Sequence, residues 1–515
     1  MLARLLNSKS ISARFSVSLA AGVLRAVIAF STAMLLARWL GPDQYGRVVF
    51  LVASYAAIRQ FFDMGTSSAY FTFLSQQTRS HYFILVFWGW LLIQLMVLFL
   101  LVAFIIPQEL FVKMWLEDKR DLVLLALISS FMQGSVWQAA AQLGEAIRET
   151  SRVQLVGLAA LLTHLLLVTA AWLFNALTIN FIFVLVSVEW ALASIYIYKL
   201  CYTKIGSSSF KKPAAENVVS IFNEYKYYCI PLIPLAWLGA AHDFLDRWML
   251  QTWSGSKEQA YFGVAAQISG VSLLVTTAIL RIFWKEIAEA HQAGNFNKVG
   301  ALYSKLLKIL FFFAAFLSAG MIPWSSKILF FSAGEAYLDG SFTFALMLIF
   351  PIHQCLGQVT NTLLYATSNT KLLFWINSTF LILGMLLTYI ILAPKDASIP
   401  GLNLSSAGLA GKLLFMQVIF VNLAYWLISR KYDWPLQFLY QFVILVVCLA
   451  ASFTVYWFVM GAFYFLPILM QLSLFLGLYI FIIILFGSKN LQFIGLTADD
   501  VAVAKNTLKG FINSR

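Results

Sequence analysis

Long apolar stretches recur from Phe15 almost to Gly487 of this 515-residue chain, and they constrain its fold more than any other feature. A helix needs about 20 mostly apolar residues to cross a hydrocarbon core roughly 30 Å thick. Fourteen segments meet that need: 15–39, 46–70, 82–106, 121–146, 152–174, 178–199, 226–250, 260–284, 303–325, 341–366, 371–393, 405–429, 436–460 and 463–486. Inside lipid every backbone N–H and C=O must be satisfied within the segment, so the segments are helices; they are too long and evenly apolar for barrel strands. The sequence therefore predicts an all-α polytopic membrane protein with about 14 transmembrane helices. Composition agrees, at 61% hydrophobic and 11% charged residues. Arg25 interrupts the first segment and no small-residue cleavage site follows it, which argues against a cleaved signal peptide.

Charge sets the expected orientation. Of 35 Lys and Arg, 22 fall on the side that holds the N-terminus and 9 on the other, with Arg25, Arg59, Arg281 and Lys412 inside segments. The positive-inside rule then places both termini in the cytoplasm. The net charge of +13 follows from this topology, so nucleic acid is not an expected partner. Cys201, Cys229, Cys355 and Cys448 lie in or beside segments without C-x-x-C spacing, and no metal or cofactor is expected.

The chain also repeats itself. Arg38-Trp39 closes segment 1 and Arg247-Trp248 closes segment 7, an offset of 209. Tyr45 corresponds to Tyr261 and Pro107 to Pro323, both at an offset of 216. An even number of helices per repeat keeps both halves in one orientation, as in transporters whose halves rock about a central site. The expected organisation is two pseudo-symmetric six-helix lobes plus two extra helices. Its boundaries are a cytoplasmic N-terminal segment 1–14, an N-lobe 15–201, a polar cytoplasmic linker 202–225, a C-lobe 226–430, segments 13 and 14 at 431–488, and an amphipathic cytoplasmic tail 489–515.

The run Leu36-Ala37-Arg38-Trp39-Leu40-Gly41-Pro42-Asp43-Gln44-Tyr45-Gly46 resembles the opening motif of the polysaccharide transporter family, whose best-known members are Wzx-type O-antigen flippases. Asp63-Met64-Gly65 is similar to the family pattern, as are Asp246-Arg247-Trp248-Met249 and the loop ending Tyr261-Phe262-Gly263-Val264-Ala265. Within the wider MATE/MOP flippase superfamily, the resemblance implies a two-lobed exporter related to drug/cation antiporters and to the lipid II flippase. It also implies cationic cavity residues in helices 1, 2 and 8, and a role for the last two helices in accommodating a lipid tail.

Charged residues inside segments are the candidate site. Arginine at mid-helix costs roughly 2.5–3.5 kcal/mol on insertion scales and is expected to face a cavity or a partner. Arg25 sits near the bilayer centre, with no acid one turn away on its own helix. Arg59 has Asp63 at i+4, which fits either a cavity cation or a structural pair. Arg281 lies toward the cytoplasmic end of segment 8, where cavity and snorkelling readings both stand. A guanidinium offers a fork of donors that matches phosphate oxygens and stays charged at any cellular pH. Asp243 and Arg247, with Asp246 between them, read as a charge pair that is either fixed or part of a gate. Glu189, central in segment 6, is a candidate for a coupling proton or cation, or a protonated side chain packed on a neighbour. His164 and His353 carry no assigned role, and Lys412 is expected to snorkel outward.

These residues read as a flippase that carries a polyprenyl-diphosphate-linked oligosaccharide, an O-antigen or other polysaccharide repeat unit, from the cytoplasmic to the outer leaflet by alternating access. Its partners would be that glycan lipid, the bilayer and polysaccharide polymerase machinery. No bond breaks in this step, so no catalytic set is expected. The alternatives are a lipid II-type flippase or a multidrug/cation antiporter, and more remotely a membrane glycan polymerase or ligase. The last should carry a large outer loop with acid and base groups, whereas 326–340 and 394–404 hold only Glu335, Asp339 and Asp396 as acids.

Overall fold

A computed structural model describes residues 11–77, 79–117, 119–207, 217–367 and 369–489. Residues 1–10, 208–216 of the linker and the tail from 490 onward lie outside the described residues, and with them the expected amphipathic tail helix. Among the described residues the chain is α-helical throughout, with short 3₁₀ and π turns. Eleven helices are long and apolar enough to cross a membrane, or up to twelve if one bent pair is a single span. This is a multi-pass membrane protein. Outward-facing Phe104, Leu166, Leu439 and Trp457 are each more than two-thirds exposed. Such an apolar coat is a liability in water and natural in lipid.

Contacts divide the chain into two units, Met1–Ala260 with Thr388–Ser405, and Tyr261–Leu387 with Ser406–Arg515. The first unit opens with α1 (Ile11–Asp63), in which Gly41 (φ 71°, ψ 168°) breaks the helical geometry. A side chain would strain that backbone, and Pro42 suits the first position of the leg that follows. The two helical legs on either side of Gly41 cover segment 15–39 and most of 46–70, and they count once among the eleven. After α2 (Thr66–Gln76), α3 (His81–Leu100) ends in a π-turn, Leu101–Ile105. Arg120 donates to the carbonyls of Val102 at 2.8 Å and Ile106 at 2.6 Å, satisfying acceptors that this turn frees. Next come α4 (Gln108–Trp115) and α5 (Arg120–Phe131), which passes through the π-turn Met132–Val136 into α6 (Trp137–Ala146). They are followed by α7 (Thr150–Leu173), α8 (Ile179–Ser207) and α9 (Val218–Cys229).

Helix α10 (Ile233–Ser269), bent by 64° from α9, repeats the device of α1: Gly255 adopts φ 82°, ψ 178°. Its two legs cover most of segment 226–250 and part of 260–284. The residues after the two breaks meet at Gly46, where a Cβ would stand 1.8 Å from the carbonyl oxygen of Ser256. Only a glycine lets backbones cross so closely.

The second unit contains α11 (Leu273–Gln292), α12 (Phe296–Met321), α13 (Ser325–Ser332), α14 (Ser341–Ala366), most of α15 (Thr370–Leu392), α16 (Ser405–Tyr432), α17 (Phe438–Ala462) and α18 (Ile468–Lys489). Helices α17 and α18 pack on α12: Tyr479 donates to Phe316 O at 2.9 Å and Ser452 to Ala319 O at 2.7 Å. Gly320 leaves room for the Tyr479 ring. Lys412 is 1% exposed, so it is buried within the protein instead of snorkelling outward.

Candidate functional site

Arg25 lies half-buried on α1 against α7. At Gly157 a Cβ would stand 3.4 Å from Arg25 Nη1 and 3.7 Å from its Cδ, so the glycine provides the berth for this side chain. Its Nε is enclosed and has no hydrogen-bond partner among the described residues. The compensating charge comes from another helix, through electrostatic interaction with Glu145 at the end of α6. Gln154 of α7 contacts that carboxylate, with Nε2 3.4 Å from Oε1.

Arg59 donates through Nη1 to the carbonyl oxygen of Gly134 at 2.5 Å. Gly134 belongs to the π-turn Met132–Val136, and a Cβ there would come within 2.7 Å of Arg59 Nε. A π-turn leaves carbonyls short of their helical donors, and a guanidinium fits that gap. Asp63 spends its oxygens on a cap: Oδ2 accepts from Gly65 N at 3.2 Å, and Oδ1 from Ser67 N at 3.1 Å and Ser67 Oγ at 2.5 Å. Its charge still acts on Arg59. The candidate Arg59–Asp63 pair is thus a long-range one, each group being held by other partners.

The acid cluster of α10 is arranged differently from its sequence spacing. Asp246 is buried and accepts from Thr388 Oγ1 at 2.5 Å, which ties α15 to α10 within the first unit. His242 Nδ1 lies 3.1 Å from Asp243 Oδ1, and its Nε2 lies 3.8 Å from Asp246. Asp243 is 61% exposed. Asp246 therefore exceeds Asp243 as the counter-charge of Arg247.

Glu189 has a charged-group partner that sequence spacing did not reveal. His164 Nδ1 of α7 is 2.9 Å from Glu189 Oε2 of α8, with side-chain exposures of 12% and 7%. Glu189 Oε1 is buried and has no hydrogen-bond partner among the described residues. Both residues sit at mid-segment on consecutive helices, the one sequence signal for the pair. Arg281 lies on α11, but its side chain is outside the described residues. Among the described residues, no three His, Cys, Asp or Glu side chains gather as a metal site.

Comparison with solved structures decides the fold. The chain aligns with a lipid II flippase, MurJ, in an inward closed conformation, at TM-score 0.70 and 15% identity, over 92% of this chain and 99% of that one. The chain has the fold of the MOP-superfamily transporters. An inward-facing multidrug resistance MATE family transporter of that superfamily aligns at TM-score 0.63 and 12% identity, over 79% and 96% of the two chains. A MOP superfamily transporter from Pyrococcus furiosus aligns at 0.55 and 11%, over 84% and 97%. No family model matches the chain. No curated protein matches it either.

Proposed function

We propose that the protein is a flippase of a bacterial inner membrane, moving a polyprenyl-diphosphate-linked oligosaccharide, such as a polysaccharide repeat unit, to the outer leaflet by alternating access. The observation that carries this reading is Arg25: a permanent cation in a membrane-spanning helix, half-buried, with a donor that has no partner among the described residues. In this reading Glu145 compensates the guanidinium while the site is empty and yields to the diphosphate, whose oxygens match the fork of donors. Arg59, on the same helix, extends the cationic track, and Asp246 is a fixed anchor. The likeness in fold to a lipid II flippase supports a lipid-linked substrate.

The pair His164–Glu189 suits coupling. In a low-dielectric interior the pair is neutral when it holds a single shared proton, and losing or gaining one leaves a costly net charge. A proton entering or leaving there would bias the states that expose it. Moving two negative charges outward, down an inside-negative potential, is itself favourable by about 2 × 2.3 kcal/mol per 100 mV. Polysaccharide polymerase machinery is the proposed downstream partner.

The test is export of the lipid-linked glycan in cells carrying Arg25→Ala, at unchanged protein level. We expect export to be lost, with Arg25→Lys restoring part of it. Normal export in Arg25→Ala would overturn the role given to Arg25, and normal export in cells lacking the protein would overturn the flippase reading and favour a multidrug antiporter.

A further inference from the structure

Carboxamides within the membrane-spanning helices fall into two groups. Some are bonded inside the protein, as polar contacts in membranes are expected to be; others, Gln259 among them, make no side-chain hydrogen bond to a described residue. Asn422 donates to Val418 O at 2.8 Å and accepts from Gln441 at 2.9 Å. Gln94 donates to Phe62 O at 3.0 Å, and Gln471 to Phe463 O at 3.1 Å. Asn361, Asn377 and Gln417 differ. They come from three successive helices, α14, α15 and α16, and converge on one cavity of about 110 Å³ within the second unit. None of the three makes a side-chain hydrogen bond to a described residue.

The lining decides the chemistry. It contains no Asp, Glu, Lys, Arg or His, so nothing there balances an ionic ligand. Each carboxamide offers both donors and an acceptor, which suits a neutral group that also does both. The remaining wall includes Phe380 and Phe420, set edge-to-face with centroids 5.3 Å apart, as an apolar surface for ring C–H groups. Asn361 is exposed at the mouth, while Asn377 and Gln417 are half-buried. Gly357 makes room for the inner amide, since a Cβ there would lie 2.9 Å from Gln417 Nε2.

From this arrangement we infer that the cavity is a subsite for a neutral sugar residue, read through its hydroxyl or acetamido groups. The cavity takes part of one monosaccharide and not an oligosaccharide. The inference deepens the flippase reading and rests on it for the source of the sugar. Its function would be to discriminate among head groups, a task the arginines cannot perform because every such lipid carries the same diphosphate.

The experiment uses the full-length protein in lipid nanodiscs and saturation-transfer NMR, with methyl β-N-acetylglucosaminide and methyl β-glucoside as probes. Transfer to at least one probe is expected. Losing one amide contact should lower it by about fivefold in Asn377→Leu and in Gln417→Met. Gly357→Ala, which pushes the Gln417 amide aside, should lower it as well. Replacing an amide by an apolar residue favours membrane insertion, so these variants should fold. Asn361→Leu, at the exposed mouth, provides a further variant with the same expected loss. Preference for the acetamido probe, or equal transfer to both, identifies which group is read and supports the subsite. Absence of transfer to either probe, or undiminished transfer in all the amide variants, overturns it. Glycan export in cells reports separately: normal export in cells lacking the protein, with sugar transfer to the purified protein intact, would sink the flippase reading and leave the sugar site standing.

Discussion

Gly46→Ala tests the close crossing of the two glycine-broken helices. The new methyl would stand 1.8 Å from the Ser256 carbonyl oxygen and 2.6 Å from its carbonyl carbon. Ordinary carbon–oxygen contact is about 3.3 Å or more, and the atoms in the way are backbone, which no rotamer change relieves. Overpacking costs about 1–3 kcal/mol when flexible side chains can absorb it, so the upper end applies here. Loss of the Cα–H···O contact adds about 0.5–1 kcal/mol. Alanine's better helix propensity returns about 1 kcal/mol. The net expectation is a loss of about 2–3 kcal/mol. Gly89→Ala is the control: Gly89 also lies in a helix of the first unit, with nothing within 4 Å of an added Cβ, so alanine should be neutral or stabilising there. The assay is the thermal midpoint of the purified protein, followed by size-exclusion after heating. Equal midpoints for the two variants would show that the helices do not cross at Gly46 as described.

Three other outcomes are expected. Asp63→Ala should destabilise the protein by about 1–2 kcal/mol through loss of the α2 cap, read as a lower thermal midpoint; an unchanged midpoint would contradict the capping role. Glu189→Gln should keep contact with His164 but abolish exchange of a shared proton. Transport by this variant in proteoliposomes should therefore lose any response to an imposed proton gradient, and a retained response would exclude the pair from coupling. For orientation, a membrane-impermeant thiol reagent applied from outside should label a cysteine placed at Ser332 and miss one placed at Ser208; the reverse pattern would invert the topology.

The helical, membrane-spanning nature of the chain was legible because lipid leaves an apolar segment few options. Most segment boundaries were legible too, but 46–70 and 260–284 run across breaks at Met64-Gly65 and Gly270–Ser272. Gly41 and Gly255 break the helix within a single residue and let the chain continue, where a sequence reading inserts a loop. Asp63 lies just before Thr66 and Ser67, so its capping role was written locally, yet its i,i+4 spacing to Arg59 drew the reading toward a pair. Partners on other helices were beyond reach. Arg25 has no acid on its own helix because Glu145 of α6 supplies one, and Glu189 looked isolated because His164 approaches from α7. Such pairs depend on how helices rotate against one another, which the tight interfaces at Gly157 and Gly134 help to fix. Asn361, Asn377 and Gln417 carried no signal at all, since nothing in three separate segments says that their amides share a cavity.

In the proposed flippase, Arg25 recognises the diphosphate of a lipid-linked glycan. The most direct measurement is translocation of a fluorescent polyprenyl-diphosphate-linked sugar by the purified protein in proteoliposomes, comparing wild type, Arg25→Ala and Arg25→Lys. Loss of one bidentate, charge-assisted contact of about 1.5–3 kcal/mol should slow Arg25→Ala by roughly 10- to 100-fold. Arg25→Lys should fall between the two, because it keeps the charge but not the fork. Translocation by Arg25→Ala at the wild-type rate would contradict the account.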